Sequence, residues 1–392
     1  MKTMVSLVSD QTIPNVLGIL HFRPDCLLFV STPEMEKKEM VQATLRVLER
    51  RRPGIYRLGE NAHVVVCRED SILDCHQKLE KWIADQGEGE FVVNLTGGTK
   101  LMSIAAYDFF KDYDSRMIYF PITGNFYHVP FPKKAPRAPT AVAERLGVVD
   151  YLTAYGLRVI NGEKLDRYAR QAAGRREMTR FIVENYQGLE PLLTWFGSRL
   201  RDKRDARKAV ELKEARGPAN EIERAFLEKL GARAEEGSLQ VSLSPPDIEY
   251  LTGGWLEEYC YNVADGLRGR VVDDAVLNIQ IQNRNNRDNE FDVMFTCDNT
   301  LYFIECKSLE QQHDRKFDAL YKIGALRKDF GLRGASFFVT TSRHVVDEAT
   351  GGIRQAVEER AKQFNIFIVN PKDLPRLGEV LEERLVGKEH AD

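Results

Sequence analysis

Residues 289–308 read Asn-Glu-Phe-Asp-Val-Met-Phe-Thr-Cys-Asp-Asn-Thr-Leu-Tyr-Phe-Ile-Glu-Cys-Lys-Ser, two runs rich in Phe, Val, Ile and Tyr on either side of the turn-forming pair Asp298-Asn299. This is the pattern of a β-hairpin with a two-residue loop. With those two residues as the loop, Cys297 faces Thr300, and counting outward sets Asp292 opposite Glu305 and Glu290 opposite Lys307. Side chains alternate across a strand, so Glu290, Asp292, Glu305 and Lys307 are expected on one face. Like charges directly opposite one another, roughly 5 Å apart at Cβ, destabilise a sheet unless something neutralises them. A divalent cation does so. Hard oxygen ligands favour Mg2+ or Mn2+, and the lysine two residues on is placed to hold a phosphate or orient a water. A solvated hairpin face carries the same residue types, so the spacing alone leaves both readings open.

The acidic strand followed by Ile304-Glu305-Cys306-Lys307 resembles the PD-(D/E)xK nuclease superfamily, with Phe291-Asp292 standing where Pro-Asp is usual. The resemblance implies that Asp292, Glu305 and Lys307 are catalytic, and that Asp292, Glu305 and the backbone carbonyl of Cys306 hold the metal. A second trait of that superfamily is a glutamate-bearing helix ahead of the hairpin. Here Gly253-Gly254-Trp255-Leu256-Glu257-Glu258 opens a helix with Leu256, Cys260, Val263, Ala264 and Leu267 on its apolar side. Glu257 borders that side, whereas Glu258 groups with Asn262 and Asp265, so Glu257 is the residue expected to face the hairpin. Stabilisation of an N-terminal glutamate by the helix dipole accounts for Glu257 equally well.

The first third of the chain has a different rhythm. Apolar runs at 3–9, 26–32 and 91–95, with less regular ones at 55–58 and 62–67, alternate with amphipathic helical segments; 117–122 and 125–131 read as a last strand and its hairpin partner. Such alternation predicts a parallel, doubly wound sheet whose sites lie beyond the carboxyl ends of the strands. Two loops are placed there: Ser9-Asp10-Gln11-Thr12-Ile13-Pro14-Asn15 and Thr96-Gly97-Gly98-Thr99-Lys100. Paired glycines let backbone approach a ligand, and free N–H groups at a helix start attract phosphate, with Lys100 adding a full charge. An ordinary capped helix start after a tight turn fits the second loop as well, and it is not a Walker A loop.

The longer run Asn94-Leu95-Thr96-Gly97-Gly98-Thr99-Lys100-Leu101-Met102 looks like the ligand loop of CARF domains, the CRISPR-associated Rossmann folds. The resemblance covers roughly residues 1–135. It implies binding of a cyclic oligoadenylate across a homodimer axis, with Ser9, Asp10, Gln11, Thr12, Asn15, Thr96, Gly97, Gly98, Thr99 and Lys100 as the ligand-binding set.

Between these ends, residues 136–245 read as a mostly helical linker region opened by a Pro- and charge-rich boundary. A winged helix over 141–175 is one reading of it. Its run 199–216 holds eight basic and four acidic residues, and a solvated helix face fits these interspersed signs better than a nucleic-acid patch. After residue 246, a strand at 276–282, the hairpin, a helix near 314–330, a strand at 335–341, a helix near 352–364 and a strand at 366–369 suit the nuclease core. Lys322 reads as a solvated lysine, with a phosphate contact as the alternative.

At 392 residues, 43% hydrophobic and 29% charged, the chain is long enough for two or three domains with real cores. Its six cysteines form no C-x-x-C pair, which argues against disulfides and structural zinc. The net charge of −3 excludes a basic coat protein, so a polyanion must bind at a local cleft. No apolar run is long enough to span a membrane, and the first residues lack a signal-peptide core, so a cytoplasmic location is expected.

The expected fold class is α/β: a Rossmann-like CARF domain (1–135), a helical middle (136–245) and a restriction-endonuclease-like α/β domain (246–392). The paired resemblances imply an ancillary effector of type III CRISPR systems. It would be a homodimer activated by cyclic oligoadenylate, with cyclic tetra-adenylate matching the dimer's two-fold symmetry, and would cleave DNA or RNA with Mg2+ or Mn2+. Two rivals stand beside it: a ligand-sensing transcription regulator with an inert hairpin, and a restriction-type endonuclease that needs no ligand.

Overall fold

Strand β1 (Lys2–Leu7) is buried from its second residue onward, as an apolar run inside a two-sided sheet must be. The computed structural model describes residues 1–86, 89–121, 124–132, 135–283, 286–308, 336–347 and 349–386. After β1 come α1 (Ile13–Phe22), β2 (Cys26–Ser31), α2 (Pro33–Lys37), α3 (Met40–Arg51), β3 (Ala62–Val66), α4 (Ile72–Gln86), β4 (Glu90–Asn94), α5 (Lys100–Phe110) and β5 (Ser115–Ile118). The five strands form a parallel sheet in the order β3-β2-β1-β4-β5. The order reverses between β1 and β4, which opens a crevice past their carboxyl ends.

The run at 55–58 is not a strand; it contributes one isolated bridge from Leu58 to Ala62. Among the described residues the expected terminal hairpin is reduced to one bridge between Tyr119 and His128, while β6 (Phe126–Tyr127) pairs instead with β7 (Thr140–Ala141).

The middle of the chain is less uniform than a helical linker. Helix α6 (Val148–Ala154) packs on α3 and on the second sheet, and β8 (Arg158–Val159) joins that sheet as its edge strand. The residues at 141–175 therefore build no winged helix. Helices α7 (Leu165–Gly174), α8 (Arg176–Glu184) and α9 (Tyr186–Arg199) follow. Then β9 (Val210–Glu214), α10 (Glu221–Lys229), β10 (Arg233–Glu235) and β11 (Ser238–Leu243) give a three-stranded antiparallel sheet, with a strict in–out alternation in β11.

Helix α11 (Pro245–Glu249) runs through a wide turn, Tyr250–Gly254, into α12 (Trp255–Gly266). The second large sheet has the order β16-β15-β14-β13-β12-β8. Here β12 (Asp274–Gln282), β13 (Asp288–Cys297) and β14 (Thr300–Lys307) are antiparallel, whereas β15 (Ser336–Thr340) and β16 (Ile366–Val369) run parallel to β14. Helix α13 (Gln355–Gln363) precedes β16, and α14 (Leu377–Val386) ends the described chain. The helix expected near 314–330, and Lys322 within it, lie outside the described residues.

One apolar cluster runs from the first sheet (Met4, Phe29, Val92) through α6 (Val148, Tyr151, Leu152) into the second (Ile279, Phe291, Phe303). The two sheets are thus joined by shared burial as well as by chain. Separate clusters line the far faces, with α4 and α5 on one and α12 and the middle helices on the other. All six cysteines are free and buried, packed as small apolar groups. Among the described residues no helix is long and apolar enough to cross a membrane.

Candidate functional site

The hairpin has the expected two-residue loop. Asp298 and Asn299 both take left-handed backbone (φ 48° and 54°), and Cys297 pairs with Thr300. The β13–β14 ladder runs inward only to Val293–Ile304. Beyond it the Cys306 N–H donates to Oδ2 of Asp292 at 2.7 Å, a side-chain bond in place of a ladder bond. The two pairs expected to stand opposite one another, Asp292 with Glu305 and Glu290 with Lys307, are accordingly not ladder pairs. Across the other edge of β13, matched pairs pass from Leu277–Val293 to Ile279–Phe291. The skipped residue, Asn278, has a left-handed φ of 52°, and its carbonyl accepts a bond from the buried Asn161 at 2.7 Å. The sheet is therefore distorted on both sides of Asp292, a device that re-aims a side chain out of a regular ladder.

At that open end, Lys307 Nζ lies 3.1 Å from Glu305 Oε1, with Glu305 buried and Lys307 half-buried. Burial disfavours a charged Lys307, but the carboxylates of Glu305 and Asp292 outweigh it and hold the ammonium above its ordinary range. From the facing helix, Glu257 is near enough for its carboxyl to be pushed up to about 8. The causes are burial first, then Asp292, Glu249 and Glu290, with Lys307 opposing. Glu258 turns away and bonds Arg175 at 2.8 Å, so the helix presents Glu257 and not its neighbour. Cys306 buries its thiol between Glu305 and Lys307 in sequence, with its pKa pushed up by burial. Glu249 was not singled out by sequence reasoning. It lies eight residues before Glu257, across the wide turn, and no spacing rule for a regular helix joins the two.

Among the described residues the donor set is carboxylate-rich, with more negative groups than Lys307 balances, and this is what a hard cation relieves. No three acidic, histidine or cysteine groups among the described residues are grouped closely enough to hold an ion unaided. The oxygen donors this edge offers to such an ion are the Asp292 and Glu305 carboxylates.

The second constellation sits at the reversal of the first sheet. Parallel pairing of Ser6 with Asn94 brings the loops after β1 and β4 side by side. Asn94 Nδ2 bonds Asn15 Oδ1 at 2.8 Å, Asn15 Nδ2 bonds the Leu7 carbonyl at 2.9 Å, and Thr96 Oγ1 bonds Asn94 Oδ1 at 2.6 Å. A Cβ on Gly97 would lie 2.1 Å from the Leu7 carbonyl, so only glycine lets these two loops touch. Gly98 has φ +70°, and the Thr99 side chain accepts the Met102 N–H at 3.3 Å to cap α5.

Within this loop pair Lys100 is exposed at the helix start. Thr12 and Asn15 are instead buried and bonded inward, Thr12 Oγ1 to the Ala154 carbonyl at 2.7 Å, and Tyr155 reaches Gln11 Oε1 at 3.0 Å. Ser9 Oγ accepts the Gln11 N–H. Asp10 forms an ion pair with Lys38 at 2.9 Å, a cation hidden from sequence reasoning in an ordinary helical Glu-Lys-Lys-Glu run.

Residues 3–151 match the family model of the Card1 CARF domain, and residues 247–387 match that of the Card1-like endonuclease domain. Among solved structures, Can2 from Sulfobacillus thermosulfidooxidans in complex with cyclic tetra-adenylate is similar at 21% identity, covering 96% of this chain and 98% of that one, with a TM-score of 0.71. Protein VC1899 from Vibrio cholerae is similar at 20% identity, covering 98% of each chain, with a TM-score of 0.76. A type III CRISPR defence DNA nuclease activated by cyclic oligoadenylate is similar at 17% identity over 92% of this chain and 51% of its own, with a TM-score of 0.50. No curated protein matches at the level of sequence.

Proposed function

Because the chain belongs to the Card1 family, a CARF sensor domain joined to a Card1-like endonuclease domain, we propose that it is a cytoplasmic nuclease of type III CRISPR defence switched on by cyclic tetra-adenylate. The observation that carries the nuclease half is the convergence of Glu257 on the Asp292–Glu305–Lys307 edge, where carboxylates crowd one ammonium. Perturbed groups brought together from separate elements are a mark of a reacting centre.

Asp292 and Glu305 are the residues proposed to hold Mg2+ or Mn2+, with the Cys306 carbonyl as third ligand. A bound cation would supply Lewis-acid shielding of the phosphate and a more acidic water. Asp292 is held by the Cys306 N–H, so its carboxylate is oriented before substrate arrives. Lys307, kept protonated by Glu305 and Asp292, donates to a phosphate oxygen as negative charge builds there. Glu257 assists from across the cleft. The substrate is DNA, RNA or both.

For the sensor half, the proposed ligand set is the 9–15 and 96–100 loops, with Lys100 and the α5 N–H groups on phosphate. Thr12 and Asn15, being bonded inward, act by shaping the loops. Leu101 and Ile104 are 39% and 51% exposed on α5 beside the loop. Exposed apolar residues there suit a homodimer in which one ring meets two copies of the loop.

The test is an incubation of plasmid and single-stranded RNA with Mn2+, with and without cyclic tetra-adenylate. Cleavage that needs the ring, and is lost in Glu305→Ala, is expected. Cleavage without the ring would make the protein a restriction-type enzyme; ring-dependent DNA binding without cleavage would make it a regulator.

A further inference from the structure

The basic run at 199–216 divides into two kinds of residue once folded. Its ends are matched: Arg199 pairs with Glu214 at 2.6 Å, and Arg216 with the fully buried Glu223 at 3.1 Å. Between them, residues 201–208 hold Arg201, Lys203, Arg204, Arg207 and Lys208 against only Asp202 and Asp205. None of the five forms an ion pair with a described carboxylate. Four of them are exposed, and Lys203 is half-buried.

This segment is tied to the reacting edge. Arg204 Nε donates to Thr252 Oγ1 at 2.9 Å, and its Nη2 donates to the Thr252 carbonyl. Thr252 lies in the wide turn that opens α12, the helix bearing Glu257. On the other side of the same turn, Ser308, the residue after Lys307, donates to the Gly253 carbonyl at 3.3 Å. A Cβ placed on Gly253 would lie 3.1 Å from Ser308 Oγ and 3.7 Å from Arg204 Nη2. The Arg204 guanidinium and the end of the catalytic strand therefore flank one backbone point. Among the described residues Arg204 bonds only the neutral oxygens of Thr252, and a guanidinium has further N–H donors to offer.

Adjacent unpaired cations repel one another, and a chain with net charge −3 has carboxylates enough to match them, as it does at both ends of the run. The unmatched stretch is the one beside the reacting centre. We propose that residues 201–208 are the track for the phosphate backbone of the nucleic-acid substrate, with Arg204 the contact nearest the scissile phosphate. The proposal rests on the nuclease reading above. Backbone contacts of this kind position a strand without reading its sequence, and they make binding depend on salt.

The test uses the full-length protein in a Glu305→Gln background, with cyclic tetra-adenylate present, and a labelled single-stranded oligonucleotide as probe. Changing Arg201, Lys203, Arg207 and Lys208 together to Gln should weaken binding at least about tenfold. It should also lower the slope of log Kd against log salt by about 3, because four phosphate contacts are lost. In the cleaving enzyme the same change should raise KM more than it lowers kcat. These side chains make no described hydrogen bond or ion pair, and unchanged affinity for cyclic tetra-adenylate by calorimetry shows that the fold is intact. If wild-type protein cleaves and the variant keeps its salt slope and KM, the track is wrong and the nuclease reading stands. If wild-type protein neither binds nor cleaves any nucleic acid, both fall together.

Discussion

Asn299, the second residue of the hairpin loop, is fully buried where the nuclease sheet meets the sensor side of the chain. Its Oδ1 accepts the Leu146 N–H at 2.8 Å, and its Nδ2 donates to Asn125 Oδ1 at 2.8 Å and to the Glu144 carbonyl at 2.9 Å. Asn299→Ala removes all three. A net hydrogen bond contributes about 1 kcal/mol, and a buried donor left alone costs somewhat more. The loss at Glu144 is smaller, since Arg145 also donates to that carbonyl at 3.2 Å. The left-handed φ of 54° adds about 1 kcal/mol for alanine, which lacks the local bonding of asparagine. The expected total is about 3 kcal/mol. Asn299→Gly loses the same bonds without the backbone cost and should be milder by about 1 kcal/mol. Urea denaturation followed by circular dichroism measures both. A change below about 0.5 kcal/mol in Asn299→Ala, or a glycine variant less stable than the alanine one, would refute the reasoning.

Glu305→Ala and Lys307→Ala should each abolish cleavage while leaving calorimetric binding of cyclic tetra-adenylate intact, whereas Glu257→Gln should be milder; wild-type rates from Glu305→Ala would sink the metal-site assignment. Lys100→Ala should weaken ring binding by about tenfold, since a charge-assisted phosphate contact is lost, and unchanged affinity would assign the ring to backbone amides and the 9–15 loop. Calorimetry should give one ring per dimer, and one per monomer would refute the shared site. Arg175 holds both Asp247 and the buried Glu258 at 2.8 Å; Asp247 keeps its bonds from Ser244, so Arg175→Ala should cost about 3 kcal/mol chiefly by leaving Glu258 without its partner. Burial raises Glu258 from its ordinary 4.5 to about 7, Arg175 opposing. The folded state then binds the extra proton, so this group's stabilising share is full below pH 4.5 and is lost as pH rises through 7. Glu258→Gln should flatten that part of the pH–stability profile.

The hairpin was legible because its signals are local. Alternation along two short runs and one Asp-Asn pair decide the turn, the register near it and the face shared by Asp292, Glu305 and Lys307. The parallel sheet and the Thr96–Lys100 loop were legible for the same reason: each βα unit writes its own period and its own turn. The strand expected at 55–58 did not form, and that at 125–131 shrank and changed its main partner, because strand pairing is settled by neighbours distant in the chain, not by a residue's own preference.

Local signals in the chain thus set the elements and the chemical types at their ends. Tertiary structure alone decided which of these ends meet. Glu249 joins Glu257 through a wide turn that no helical period predicts, the left-handed Asn278 and the ladder's early end leave Asp292 to bond the Cys306 N–H, and Asn299 plugs the hairpin into a junction more than 150 residues upstream. The basic run shows the same division. Its charges were countable, but whether a cation is matched depends on the carboxylates that folding brings within about 4 Å, and only the fold set the unmatched ones beside the reacting edge.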